Sequence, residues 1–266
     1  KKKLEMEIKN KKSNMNKIII LLITISISLF ANNFSKSKKI LLKQIYHDNK
    51  ISFYCSNPYE ITRVKNKEVT LIVQDDKYYT PRNAFTKKGN ENVRAKRIEW
   101  EHIMPAENFG RHLPCWKEGG RKACKKDPLF NKMEADMHNL VPAIGEINAD
   151  RSNFRFAADF PKKGMYGNCE FEVNFKDRRA YPRKEIRGDI ARIYLYMSDK
   201  YNINLSNQER KLMEAWNKQD PISEWEIEKN KRESNFPFYF LSYLFFNAAW
   251  AAASLAIGTL NGEHDT

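Results

Sequence analysis

At 266 residues and a formal net charge of +14, the chain has room for one good core or at most two, which excludes a larger multidomain array. Seven lysines and two glutamates fall within the first 31 residues, so the remainder carries +9. A surface that basic suits an anionic polymer, most commonly nucleic acid, against the plainer reading of solubility charge in a lysine-rich proteome.

Met15, Asn16 and Lys17 lead into an apolar run over residues 18–30 that ends at Ala31. A basic start, a short apolar stretch and a small residue fit a secretory signal peptide. The run is too short to span a bilayer comfortably. Residues 1–31 are therefore set outside the fold, and the folded domain is expected over residues 32–233. Residues 38–47 predict a helix with Ile40, Leu41 and Ile45 on its apolar side, and residues 69–73 predict a strand.

Residues 97–103 predict a further strand, ended by Pro105. Side chains alternate faces along a strand, so Glu99 and Glu101 share one face while Trp100 and His102 share the other. A carboxylate and an imidazole side by side at a strand end can serve as metal ligand and general base. The bland alternative is a surface strand with charges on one face. Residues 128–138 predict a helix. Leu140 and Val141 read as a short strand, and Pro142 as the opening residue of a helix over residues 142–150, since proline suits the first helical position. Ala143, Ile144 and Ile147 make the buried stripe of that helix, and Asn148 follows one turn below Ile144. An Asn carbonyl oxygen is a hard donor suited to Mg²⁺ or Ca²⁺; the bland alternative is a helix cap.

Residues 169–175 alternate as a strand does. Residues 187–201 predict a long amphipathic helix with Ile190, Ile193, Tyr194 and Met197 in its stripe. Ser206 and Glu209 have the spacing of a capping box, opening a helix that holds Leu212, Met213 and Trp216. These helices carry no obvious chemistry and are read as core. Residues 234–266 form an apolar tail, uncharged over 238–260 and long enough to span a bilayer. Basic residues precede it and acids follow, the reverse of the positive-inside tendency for an exported domain. An altered terminus, a membrane anchor and a core or oligomer helix are the three readings of this tail.

Strand–His, short strand, helix–Asn is the layout of a ββα-metal nuclease site. Three motifs stand in register: Glu99-Trp100-Glu101-His102 with Pro105-Ala106; Cys115-Trp116, Gly119-Gly120-Arg121-Lys122 and Cys124; and Asp136, His138-Asn139-Leu140-Val141-Pro142-Ala143, Gly145-Glu146, Asn148, Asp150-Arg151-Ser152-Asn153. In these the chain resembles bacterial endonuclease I, an exported non-specific nuclease family, over residues 36–229. The resemblance implies an α+β, helix-rich single domain around a ββα-metal (His-Me finger) core. It implies hydrolysis of phosphodiester bonds in DNA and RNA by a periplasmic or secreted monomer. His102 would be the general base, and Glu101 and Asn148 would bind one Mg²⁺, with Mn²⁺ or Ca²⁺ as substitutes. Arg121 would bind the phosphate through its planar fork, and Glu134 would support the metal waters or Arg121. Arg97 and Arg151 are phosphate-contact candidates, each set against a structural salt bridge. Glu99 is read as structural or as orienting Arg97. His138 is read as a structural histidine rather than a ligand, and His47 and His112 as surface or core.

Four cysteines remain behind the leader, and an even count in an exported chain favours disulfides. Three pairings are open. Cys115 and Cys124 enclose a small loop holding Gly119, Gly120 and Arg121, so we pair these two and leave Cys55 for Cys169. Two rivals stand beside the nuclease reading. A zinc hydrolase using His102, His112 and His138 is one, but neither His-Glu-x-x-His nor His-x-x-Glu-His is present, and a zinc site at the cysteines lacks a Cys-x-x-Cys pattern. A catalytically inactive basic protein that binds nucleic acid with the nuclease fold is the other.

Overall fold

A computed structural model describes residues 33–64, 67–159, 161 and 164–235. The expected leader and nearly all of the apolar tail lie outside the described residues. Within them, the centre is a hairpin of β3 (Ile98–His102) and β4 (Leu140–Ile144), paired antiparallel with Glu101 opposite Val141 and His102 opposite Leu140. Each face of this hairpin is covered by a helix. Strand alternation makes that sandwich possible, because it sends Leu140 into one apolar cluster and Val141 and Ala143 into another.

On one face lies α1 (Phe34–Ile40), prolonged by a π turn over Leu41–Ile45. Asn33 caps it by accepting from the Lys36 N–H. Leu41, Ile45 and Tyr46 pack with Met137 and Leu140, and Trp100 closes that cluster. The helix therefore starts four residues earlier than the apolar periodicity predicts. On the other face lies α5 (Gly145–Arg151).

Pro142 does not open this helix. It is paired with Trp100 inside β4, and its carbonyl accepts from the Phe53 N–H at 2.8 Å. In a two-stranded sheet each strand keeps one free edge, where a missing N–H costs no ladder bond. The helix starts instead at Gly145, whose N–H donates to Arg97 O at 2.9 Å.

Two further hairpin strands, β1 (Tyr59–Val64) and β2 (Lys67–Ile72), pair antiparallel. Leu71 bridges to Arg97 and ties them to β3. A third sheet has the order β5–β7–β6, from β5 (Arg155–Phe156), β6 (Phe171–Asn174) and β7 (Arg179–Pro182), with β5 parallel to β7. Between β3 and β4 run α2 (Ala106–Gly110), α3 (Pro114–Cys124) and α4 (Pro128–Glu134). The segment from Cys115 to Cys124 is thus a helix and not a loop, broken at Gly120, whose φ of 60° is left-handed. The described residues end with α6 (Arg187–Tyr201), α7 (Asn207–Gln219) and α8 (Glu224–Ser234). Ser206 caps α7, but the full capping box opens α8, between Ser223 and Glu226.

The architecture is mixed α and β. Disulfides join Cys55 to Cys169 and Cys115 to Cys124. The first closes a separation of 114 residues and the second one of 9, so the first removes far more freedom from the unfolded chain.

Candidate active site

The two faces of β3 carry two different environments. Glu99 and Glu101 face α5, where Asn148 and Arg151 stand three positions apart on one helical side. Two strand residues spaced by two thus meet two helix residues spaced by three. Glu101 Oε1 accepts from Arg151 Nη1 at 2.8 Å and from the Tyr54 hydroxyl at 3.2 Å. Its Oε2 has no hydrogen-bond partner among the described residues. Burial lifts the Glu101 carboxyl above the usual range, and Arg151 and Tyr54 offset part of that rise.

Arg151 is 0% exposed. Its guanidinium also donates to His102 O at 2.9 Å, Ile103 O at 2.6 Å and the Tyr194 hydroxyl at 3.3 Å. A side chain enclosed in this way has no face left for a phosphate. Of its two sequence readings, the structural salt bridge is the one the burial permits, and Arg151 is removed from the phosphate-contact candidates.

Glu99 accepts from Arg94, from Arg97 and from Asn148 Nδ2, the last at 3.0 Å. Burial opposes its charge, but the two arginines outweigh that and hold the carboxyl below its ordinary value. The Asn148 Oδ1 has no partner among the described residues. Arg97, 46% exposed at its side chain, keeps a solvent face although it pairs with Glu99.

His102 lies on the opposite face and is 7% exposed. Its Nε2 is 2.8 Å from Glu134 O. A carbonyl only accepts, so Nε2 carries the proton and the lone pair is left on Nδ1. Phe34 and Phe109 hold the ring, at centroid distances of 4.9 and 5.8 Å. Burial pushes the His102 pKa down to about 4; the Glu134 carbonyl offsets part of this, while the charges of Arg121, Arg151 and Lys38 add to it. The imidazole is therefore neutral at pH 7.

Glu134 has two duties. Its backbone carbonyl fixes His102, and its carboxylate accepts from Arg121 Nε at 2.7 Å. Of the two roles expected of Glu134, support of Arg121 is the one seen. Arg121 follows directly on the helix break at Gly120, is 48% exposed at its side chain, and lies over the Phe34 ring at 5.8 Å. Phe34 touches both His102 and Arg121, yet nothing in the local sequence marks it. A cavity of about 720 Å³ is lined by Tyr46, Phe53, Pro142 and Trp225 among others, but by none of His102, Glu101, Asn148 and Arg121.

Behind the hairpin, His138 lies between two buried carboxylates, 3.5 Å from Asp136 and 3.3 Å from Glu233, and stacks on Tyr196. It is a structural histidine. Lys200 and Tyr201 also bind Asp136, at 2.8 and 2.7 Å. Burial opposes the Asp136 charge, but Lys200 and His138 win and hold the carboxyl far below the usual range. A folded-state pKa below the unfolded value of about 3.9 gives stability that is present above pH ~4 and lost as pH falls further. Asp136→Asn is expected to cost about 3 kcal/mol at pH 7. Urea unfolding at pH 7, 4 and 2.5 should show the gap to the wild type closing as the pH falls; a gap independent of pH would count against the charge on Asp136.

A family model described as endonuclease I matches residues 33–237. An extracellular deoxyribonuclease of Aeromonas hydrophila is 42% identical over 217 residues, covering 80% of this chain and 90% of its own. A periplasmic deoxyribonuclease of Aeromonas hydrophila is 46% identical over 203 residues, covering 76% and 81%. An extracellular endonuclease of Pseudomonas fluorescens biotype A is 50% identical over 202 residues, covering 74% and 80%.

Proposed function

Because this chain belongs to the endonuclease I family, we propose that it is an exported, Mg²⁺-dependent, non-specific endonuclease acting on DNA and RNA. β3, β4 and α5 are read as the ββα-metal (His-Me finger) core. The observation that carries the reading is that the end of β3 holds a tautomer-fixed, neutral His102 on one face and, on the other, two hard oxygen donors without a hydrogen-bond partner among the described residues, Glu101 Oε2 and Asn148 Oδ1. Carboxylate and amide oxygens fit Mg²⁺, which takes few protein ligands and keeps several waters. When bound there, the ion supplies charge stabilisation at the scissile phosphate and acidity to its waters.

The chain's own residues do the rest. His102 Nδ1 takes the proton of the attacking water. Glu134 O holds the ring so that Nδ1 stays the free nitrogen. Arg121, anchored by Glu134, offers its remaining donors to the phosphate. Arg97 adds a weaker phosphate contact. Contacts to the backbone carry little base information, which suits a sequence-tolerant, salt-sensitive enzyme with either nucleic acid. Two disulfides suit an oxidising compartment.

The test is plasmid degradation by the purified chain with its disulfides formed. EDTA is expected to abolish cleavage and added Mg²⁺ to restore it in full. DNA retention with no cleavage under any divalent ion would favour the inactive binding protein, and undiminished cleavage in EDTA would refute the metal requirement.

A further inference from the structure

We infer that Glu99 is a positioning residue that sets which end of the Asn148 amide is presented to the metal ion. The inference rests on the reading of Asn148 as a metal ligand. Asn148 can bind a cation through Oδ1 but not through Nδ2, and the two ends have almost the same shape. Something must choose between them. An ionised carboxylate only accepts hydrogen bonds, so the 3.0 Å contact between Asn148 and Glu99 Oε2 requires Nδ2 on that side. Oδ1 then turns away from Glu99, where it meets no other protein group among the described residues.

Glu99 is itself held tightly. Arg94 donates through Nε to Oε1 at 3.0 Å and through Nη2 to Oε2 at 2.5 Å. Arg97 donates to Oε1 through Nε at 3.0 Å and Nη2 at 2.6 Å. These bonds fix the orientation of the carboxylate. Room for it depends on Gly145, where an added Cβ would lie 2.9 Å from the Glu99 carboxyl carbon and 2.8 Å from Arg94 O. Outer partners that orient metal ligands typically change metal affinity 10- to 100-fold when removed.

Glu99→Gln tests the idea with almost no change of shape. Three of the four arginine donors meet Oε1, so the Gln oxygen takes that position, and the NH₂ that replaces Oε2 gives up the Arg94 Nη2 bond. Its NH₂ then faces Asn148, which must turn Oδ1 towards it and point Nδ2 at the ion. Mn²⁺ binding to the full chain, followed by electron paramagnetic resonance with Mg²⁺ as competitor, is expected to weaken at least about tenfold. In Glu99→Gln/Asn148→Asp the new carboxylate accepts from Gln with one oxygen and keeps the other for the ion, so affinity should return to within about threefold of wild type.

Asn148→Ala separates the two levels. If it leaves Mn²⁺ affinity unchanged, Asn148 is not a ligand, and the underlying reading falls together with this one. If Asn148→Ala weakens binding but Glu99→Gln does not, only the role of Glu99 is overturned. A loss in Glu99→Gln that the double variant fails to recover makes Glu99 a scaffold residue and overturns the inference as well. Thermal unfolding checks that each variant is folded. Should Glu99→Gln not fold, Glu99→Asp decides: it keeps the charge for the arginines but retracts from Asn148, and unchanged Mn²⁺ affinity there would refute the role.

Discussion

His102→Ala is expected to lower turnover by at least about a hundredfold, the usual scale for a general base, while DNA binding and the fold persist. A hundredfold is about 2.7 kcal/mol of barrier. The expectation follows from the nitrogen atoms. Nε2 is committed to Glu134 O at 2.8 Å, so Nδ1 alone can accept a proton. With a pKa pushed down to about 4 by burial, that lone pair is free in essentially every molecule at pH 7. Alanine removes the acceptor and leaves the phosphate contacts proposed for Arg121 in place, since Arg121 is anchored by Glu134 and not by His102. Single-turnover plasmid cleavage beside a DNA-binding titration makes the check. Unchanged turnover would refute the base assignment. Loss of binding in step with turnover would mean that His102 supports the surface rather than the chemistry.

Arg151→Met is expected to have the largest effect on stability, at least about 4 kcal/mol. Arg151 is fully buried and donates to Glu101, to two backbone carbonyls and to Tyr194. Methionine fills much of the volume, so the loss is electrostatic and not a cavity. It strands a buried carboxylate and leaves His102 O and Ile103 O without this donor, each a cost of the order of 1–3 kcal/mol. In a domain of this size the melting temperature should fall by roughly 10 °C or more. Adding Glu101→Gln should recover part of the loss, because the stranded charge is gone. Urea unfolding with both disulfides intact measures it. A loss under about 1 kcal/mol, or no recovery in the double variant, would show that the buried pair does not hold the strand end to α5.

Local patterns on the chain were enough for part of the site. The alternation of residues 98–102 alone places Glu99 and Glu101 on one face and Trp100 and His102 on the other, and the hairpin register keeps that division. The long helix at Arg187–Tyr201 follows from its periodicity. Both are local properties, because a backbone period needs no partner to be read. Pro142 shows the limit: proline suits a helix start and a strand edge alike, and only pairing with Trp100 decided for the strand. Arg151 shows it again. An arginine three positions beyond Asn148 looks like a phosphate contact until packing brings it against Glu101, 50 residues earlier. The same holds for Phe34 over His102 and for Glu99 beside Asn148. The sequence by itself determined which residue types were available and which strand face each would take. The tertiary structure decided that Glu101 received Arg151 and Glu99 received Asn148, because a buried charge takes the partner that packing brings within hydrogen-bond reach, however distant it is along the chain.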